Sequence, residues 1–360
     1  MITHITCQHA LSGIGRYGFE LTKQLHESGD LYAWYKPYKK NHPDSFLHEH
    51  DWIKGYYYKS FRSYHAKLLP YFIKFGVPKK TKLAHAHWFL SGLGAVKIGF
   101  DQIIITMHDV SLLHESEQSG PFEAYYASAI ETFKKREIPI ICVSEQARKD
   151  AIKYANYPEN LVFAIPNGIE HDQFNLGNRD LFSRERFRII YSGGLGKRKN
   201  LDLLLKAYQK LYERYPDIEL VIAGAHPERT PYPKLVSDLH LKNVRFTGFI
   251  PDELMADFYR DADLFVFPSL YEGFGFAPLE AMACGTPVLS AKGGSLSEIS
   301  GGGSELFDYD VEDLFTKMEI LLLDSEKRNL LSAKGLDWVK RYSWNKTAQL
   351  TKDVYKQLFY

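Results

Sequence analysis

PSLYEGFGFAPLEAMACGTPV, residues 268–288, decides how this chain is read. The apolar run DLFVFPS before it reads as a buried strand, and APLEAMACG within it reads as a helix. Glu272 stands in the glycine-rich turn between them and Glu280 lies on the helix. Gly273 and Gly275 let the backbone come close to a ligand, and the helix start beyond them is a natural site for a phosphate. A carboxylate on that helix can accept both hydroxyls of a ribose, while one in the turn can face a sugar. A lone pair of glutamates is more often surface charge. Two of them at the carboxyl end of a buried strand stand where α/β sheets bind ligands.

Working outward, YSGGLGKRKNLDLLLKA (Tyr191 to Ala207) repeats the pattern of strand, glycine turn and helix, now with Lys197, Arg198 and Lys199 in the turn. Cations there can neutralise a departing diphosphate, where negative charge develops as a glycosidic bond breaks. Alone, such a run is usually a solvated turn; beside the glutamate pair it gains weight. The same rhythm continues in IELVIAG, NVRFTGFI with DELMADFYRDA, and TPVLSA. In the first half LAHAHWFL, QIIITMHD, IPIICVSE and LVFAIPNGIE read as strands followed by polar or helical stretches. Such alternation predicts βα units with parallel sheets. A polar stretch near 170–186 separates two expected domains, residues 1–172 and 173–343.

The bulk numbers agree. A chain of 360 residues is twice an ordinary domain. With 45% hydrophobic and 25% charged residues and a net charge of +1, it is globular and has no field for a polyanion such as nucleic acid. Cys7, Cys142 and Cys284 are odd in number and lack metal-ligand spacing, which fits a reducing compartment. No signal peptide and no membrane-spanning run is read, so a cytoplasmic location, at most at the inner face of a membrane, is expected. Residues 32–82 depart from this average. Ten lysines and Arg62 face only Asp44, Glu49 and Asp51, a net charge of +8, among aromatics such as Trp34, Tyr56, Phe61, Tyr71 and Phe72. Peripheral contact with an anionic membrane, or an anionic acceptor, suits this region. The competing reading is a solvated helix face over a small aromatic core.

The two glycine-turn stretches resemble the retaining glycosyltransferases of family four, and the resemblance extends over nearly the whole chain. LSGIGRYGFEL (11–21) looks like the family's first glycine loop and helix, ITMHDVSLL (105–113) like its sugar-site histidine segment, and CVSEQARKD, IPNGIEHDQF and NVRFTGFIPDEL like later blocks. The resemblance implies a GT-B fold, two Rossmann-like α/β domains whose parallel sheets face across a cleft, with the final helix (344–360) crossing back to the N-terminal domain. The C-terminal domain would bind the nucleotide-sugar and the N-terminal domain the acceptor. Glu280 would hold the ribose. Glu272, with the backbone of Gly273, Phe274 and Gly275, would hold the donor sugar and its phosphates. Lys199, helped by Arg198, would bind the diphosphate near Gly193, and His108 would touch the donor sugar. Gly13 and Gly15 would let the first helix approach the phosphates or the acceptor. Many relatives carry an arginine after the glycine equivalent to Gly193, where this chain has Gly194; Arg198 is the residue that can supply the missing charge.

Transfer with retention is expected, without metal or other cofactor, by front-face attack with the leaving phosphate taking the proton. GDP-mannose is the first expected donor, with UDP-glucose and UDP-N-acetylglucosamine next, and a glycan or lipid-linked acceptor of surface polysaccharide synthesis is expected. The implied fold is shared by nucleotide-sugar epimerases and phosphorylases; a phosphorylase would need a lysine anchoring pyridoxal, for which no motif is found. A catalytically inactive partner subunit is the non-enzymatic alternative. Three decoys are set aside. Asp261-Ala262-Asp263 runs into a buried strand and reads as capping or packing rather than as a metal motif. His85 and His87 have no cysteine or carboxylate partner for zinc. GIGRYG begins like a dinucleotide fingerprint but is read as lacking the G-x-G-x-x-G spacing and a clear preceding strand with its downstream acid, so NAD is not expected.

Overall fold

The computed structural model describes residues 1–8, 12–26, 31–37, 53–58, 65–114, 120–177 and 186–360. It divides into two compact units, Met1–Gly168 with Trp344–Tyr360, and Ile169–Ser343. The division falls between Gly168 and Ile169, four residues before the expected boundary. The cause is long-range: Ile169 bridges Ser343 in parallel, and His171 Nε2 bonds the Tyr342 carbonyl at 2.9 Å.

The first unit opens with β1 (Ile2–Thr6), α1 (Gly13–Leu25), β2 (Leu31–Pro37), β3 (Ile53–Tyr58) and α2 (His65–Gly76). It continues with β4 (Leu83–Ala86), α3 (Phe89–Ile98), β5 (Gln102–Met107), the short α4 (Ser111–His114), α5 (Pro121–Lys135), β6 (Ile140–Cys142), α6 (Glu145–Ala155) and β7 (Val162–Ala164). The sheet order is β3-β2-β1-β4-β5-β6-β7, all parallel. QIIITM forms β5 because a strand covered by helices on both faces must be apolar at every position, and Ile103 to Met107 are buried. The core gathers Ile5, Ala84, Ala86, Ile105 and Ile140 under Phe89, Leu93 and Phe133. Ser144 fixes the start of α6 by accepting from the Ala147 amide at 3.0 Å, and Asn156 ends it in the left-handed conformation. Of the basic, aromatic region 32–82, residues 38–52 and 59–64 lie outside the described residues.

The second unit contains β8 (Phe187–Ser192), α7 (Leu201–Arg214), β9 (Ile218–Ala223), α8 (Tyr232–Asp238), β10 (Val244–Gly248), α9 (Asp252–Arg260) and β11 (Leu264–Phe267). Then follow α10 (Phe276–Ala283), β12 (Val288–Ala291), α11 (Leu296–Ile299), β13 (Glu305–Phe307), α12 (Val311–Leu323) and α13 (Ser325–Val339). Its sheet, β10-β9-β8-β11-β12-β13, is again wholly parallel. On α7, Leu201, Leu204, Leu205, Tyr208 and Leu211 recur at helical spacing and are buried. The last helix, α14 (Trp344–Phe359), belongs to the first unit. There Thr347 Oγ1 donates to the Pro166 carbonyl at 2.8 Å, and the Tyr355 hydroxyl lies 2.5 Å from His85 Nδ1.

Both sheets are doubly wound, with strand order reversing between β1 and β4 in the first unit and between β8 and β11 in the second. Ligands of such sheets bind beyond the carboxyl ends of the strands at that reversal. The second reversal is where KRK and the glutamate turn emerge.

Candidate active site

The second unit brings Lys199, Arg198 and Glu272 together. After β8, Gly193 N donates to the Ala223 carbonyl at 3.0 Å, and a 3₁₀ turn spans Lys197–Lys199. Asn200, at φ 55°, closes this turn and starts α7. Lys199 Nζ reaches Glu272 Oε1 at 2.5 Å and lies 5.3 Å from the Phe267 ring centroid. Arg198 Nη1 lies 3.2 Å from Glu272 Oε2 and also donates to the Tyr271 carbonyl. Ser269 Oγ adds a bond to Glu272 Oε1 at 2.6 Å. Burial alone would raise the Glu272 carboxyl pKa, but Lys199 and then Arg198 outweigh it and hold the group below its ordinary value. Two cations around one carboxylate leave a cluster of net positive charge at a strand end. Arg198, which sequence reading proposes in place of an arginine at Gly194, thus shares a carboxylate with Lys199.

Glu280 stands on α10. Tyr259 donates to Glu280 Oε2 at 2.9 Å, and Ser192 Oγ, at the end of β8, lies 2.8 Å from the same hydroxyl. Tyr259 thereby links the Glu280 carboxylate to Ser192, the last residue of β8, next to Gly193. Gly273, Phe274 and Gly275 lead into α10. Gly275, at φ 95°, is the N-cap, and a Cβ there would come within 2.7 Å of Leu296 Cδ2. A glycine cap brings no side-chain acceptor to the start of α10.

Sequence reasoning missed the support beneath Glu272. Gly294, at φ 55°, packs so closely that a Cβ would lie 2.5 Å from the Glu272 carbonyl oxygen. Ser295 Oγ donates to the carbonyls of Glu272 and Phe274 at 3.0 and 2.9 Å, and Tyr309 donates to Ser269 O at 3.0 Å. KGGSLSEI after β12 repeats the strand, glycine turn and helix signal, and that repetition could have found it.

The remaining sequence-predicted residues lie in the first unit. Gly13 and Gly15 form the first turn of α1, where Ser12 Oγ accepts from Gly15 N at 3.0 Å. His108 follows β5, bonds the His87 carbonyl through Nε2 at 2.9 Å, and meets the Tyr17 ring edge-on at 5.0 Å. Two sequence-based statements need correction. GIGRYG does have the G-x-G-x-x-G spacing, at Gly13, Gly15 and Gly18, and a strand, β1, does precede it; the polar Thr3, His4 and Thr6 disguised a buried parallel strand. The downstream acid is still missing, since β2 reads LYAWYKP. His85 and His87 do have a third histidine beside them: parallel register sets His4 against His85, and one ring nitrogen from each of the three lies within 4.8 Å of the others. Such nitrogens could ligate a metal. They are also bonded within the fold, His4 Nδ1 to His87 Nε2 at 3.2 Å and His85 Nε2 to Thr106 Oγ1 at 2.8 Å. Burial drives the pKa of His4 down to about 3 and of His108 to about 4, and lowers those of His85 and His87 as well. The Asp261 and Asp263 pair is spent on β8: Asp263 accepts from Arg188 N at 2.8 Å, and Asp261 pairs with the Arg188 guanidinium.

Residues 175–338 match the family model of Glycosyl transferases group 1. The serotype-specific mannosyltransferase WbdA of Escherichia coli is 30% identical over 71% of this chain, which spans about a third (33%) of that relative's length. The O-antigen chain mannosyltransferase B of Escherichia coli is 26% identical over 98% of this chain and 97% of its own. Among solved structures, sucrose-phosphate synthase from Thermosynechococcus elongatus superposes with a TM-score of 0.84 at 23% identity, over 99% of this chain and 98% of that one. Anabaena HepE, in complex with UDP and glucose, superposes at 0.80 with 17% identity, over 99% of both chains. These likenesses establish the GT-B fold.

Proposed function

We propose that this chain, a family-four-like glycosyltransferase of the GT-B type, transfers a hexose from a nucleoside diphosphate sugar to a glycan or lipid-linked glycan with retention of configuration. The observation that carries the reading is the Lys199–Glu272–Arg198 cluster at the strand reversal of the second unit, with Glu280 on α10 bonded to Tyr259. Glu280 binds the ribose hydroxyls. Lys199 and Arg198 exchange part of their hold on Glu272 for the donor diphosphate, which lies toward the positive end of the α10 dipole. The Glu272 carboxylate and the Gly273–Gly275 backbone then face the sugar. As the bond from the anomeric carbon to the phosphate oxygen breaks, its electron pair stays on the diphosphate, whose charge the two cations stabilise. The acceptor hydroxyl forms the new bond on the same face and passes its proton to the departing phosphate oxygen. No metal is needed in this scheme.

Acceptor recognition is assigned to the first unit, where Gly13 and Gly15 follow β1, while His108, after β5, is assigned to the sugar being transferred. The two Escherichia coli relatives are named as mannosyltransferases, one of them for the O-antigen chain. They support GDP-mannose as the donor and surface polysaccharide synthesis as the setting, with UDP-glucose or UDP-N-acetylglucosamine as the second choice. Incubation of the chain with each nucleotide-sugar, followed by mass spectrometry, tests this. GDP release from GDP-mannose, as slow hydrolysis alone or faster with a mannose-ended acceptor, is expected, and proton NMR should show an α-linked product. Release from a UDP-sugar only would replace the donor. Binding without any turnover would make the chain a partner subunit.

A further inference from the structure

We propose that His4, His85 and His87 form a three-histidine site for a divalent transition metal, zinc first, which fastens β1 to β4 inside the first unit. Strand geometry builds it. β1 and β4 pair in parallel with His4 beside His85, and the bond from His87 N to the Ile5 carbonyl, at 2.9 Å, carries the ladder past the end of β4. Side chains two apart on such a backbone share a face, so His85 and His87 project together. The three ring centroids lie 4.7 to 5.7 Å apart, and all three side chains are wholly buried. Tyr17 of α1 and Tyr355 of α14 pack against them.

The nitrogens have a metal's spacing. His4 Nδ1 and His87 Nε2 are 3.2 Å apart. A tetrahedral ion with bonds of 2.0–2.1 Å sets its nitrogen ligands about 3.3 Å apart. One nitrogen of each ring lies within 4.8 Å of the other two, so a small movement of the His85 ring completes the triangle. Hydrogen bonding alone serves His4 poorly. Its one polar partner among the described residues is another imidazole, and its Nε2 has none. Buried polar atoms are normally satisfied, so such a ring needs a reason to be there, and a metal bond is far stronger than the imidazole pair it replaces.

His85 is oriented by its surroundings. Its Nδ1 lies 2.5 Å from the Tyr355 hydroxyl and its Nε2 2.8 Å from Thr106 Oγ1. With Nδ1–H donating to Tyr355, Nε2 carries the lone pair; ligating histidines are commonly held by such a bond on the far nitrogen. Thr106 releases Nε2 when the ion enters and keeps the Tyr17 hydroxyl, 2.8 Å away. Three imidazoles without a thiolate or carboxylate suit zinc, copper or nickel rather than magnesium or calcium. Water or hydroxide takes the fourth position. The ion also steadies His87, whose carbonyl accepts from His108 Nε2 at 2.9 Å.

The test uses no nucleotide-sugar, so this inference and the proposed reaction can fail separately. The site is closed to solvent, so metal is offered by two routes. One sample is purified from a zinc-supplemented culture, and a second is stripped with chelator and warmed with zinc. Plasma mass spectrometry should find about one zinc per chain. Its melting temperature should lie about 5 °C above that of the stripped chain at a hundredfold excess over Kd. Zinc-edge X-ray absorption of the wild type, which needs no variant to fold, should show about three imidazole nitrogens at 2.0–2.1 Å. H4Q should lower the zinc content about tenfold or more. H226Q, at an exposed histidine beside Glu228, should keep it. A wild-type chain that holds no metal by either route would overturn the proposal. So would full zinc retention by H4Q, or an absorption shell of oxygen or sulfur in place of the imidazoles.

Discussion

Lys199→Ala is expected to lower kcat/KM for the nucleotide-sugar by about 100- to 1000-fold, the usual cost of removing one group that stabilises transition-state charge. Lys199 is half of the cation pair at the Glu272 turn, and its Nζ is held by Oε1 at 2.5 Å before any ligand arrives. A pre-positioned cation needs little reorganisation when the diphosphate departs, so most of the loss should fall on kcat rather than on KM. Some stability goes as well, because Glu272 is nearly buried and keeps only Arg198 and Ser269. Far-UV circular dichroism and a melting curve separate the two effects. Lys210→Ala, which breaks an exposed pair with Glu312, serves as the control and should leave kcat/KM unchanged. If Lys199→Ala stays within about threefold of wild type, well short of a normal electrostatic contribution, Lys199 does not bear on the leaving group.

The second large effect is acid sensitivity of the first unit. Burial lowers the pKa of His4 to about 3 and of His108 to about 4, and His85 and His87 move the same way. In the unfolded chain these histidines titrate near 6.5. Depressed folded values mean that the unfolded state binds more protons below that pH. The stability contribution is therefore complete above about pH 6.5 and is lost as pH falls toward the folded values. Between pH 6.5 and 4.5, His4 and His108 together should remove about 4 kcal/mol, against a typical total of about 5–15 kcal/mol. Hydrogen exchange across this range should show β1, β4 and β5 losing protection before β8, β9 and β11. His4→Leu should flatten the pH dependence of the melting temperature. A melting temperature constant from pH 6.5 to 5 would contradict the buried, neutral state of these rings.

Much of this was legible because the strands of a covered parallel sheet are unbroken apolar runs. FRIIYS, IELVIA and LFVF announce themselves, and the glycines, lysines and glutamates that follow them then fall at strand ends. What stayed hidden depends on contacts distant in sequence. β1 was obscured because ITHIT is half polar, and its histidine acquires meaning only when register lays it beside His85, about eighty residues on. The division at Gly168 is set by Ile169 and His171 meeting Ser343 and Tyr342, for which no local pattern exists. Gly294 and Ser295 carry the recognised strand-and-glycine signal, but without a nearby charge nothing marked them as the support for Glu272. The two faces of α2 follow from helical spacing alone, yet only the fold shows that Leu69 and Ile73 face inward while Leu68 and Phe75 do not.

The central claim is that the second unit holds a nucleoside diphosphate sugar through Glu280 and the Lys199 cluster. Thermal melting of wild type and Glu280→Ala with GDP-, UDP-, ADP- and dTDP-sugars tests it most directly. One nucleotide class, expected to be GDP, should raise the wild-type melting temperature by about 5 °C at a hundredfold excess over Kd. Glu280→Ala should lose most of that rise, because the ribose hydroxyls lose their charged acceptor. A wild-type melting temperature unmoved by every nucleotide at millimolar concentration, or an equal rise in Glu280→Ala, would contradict the account.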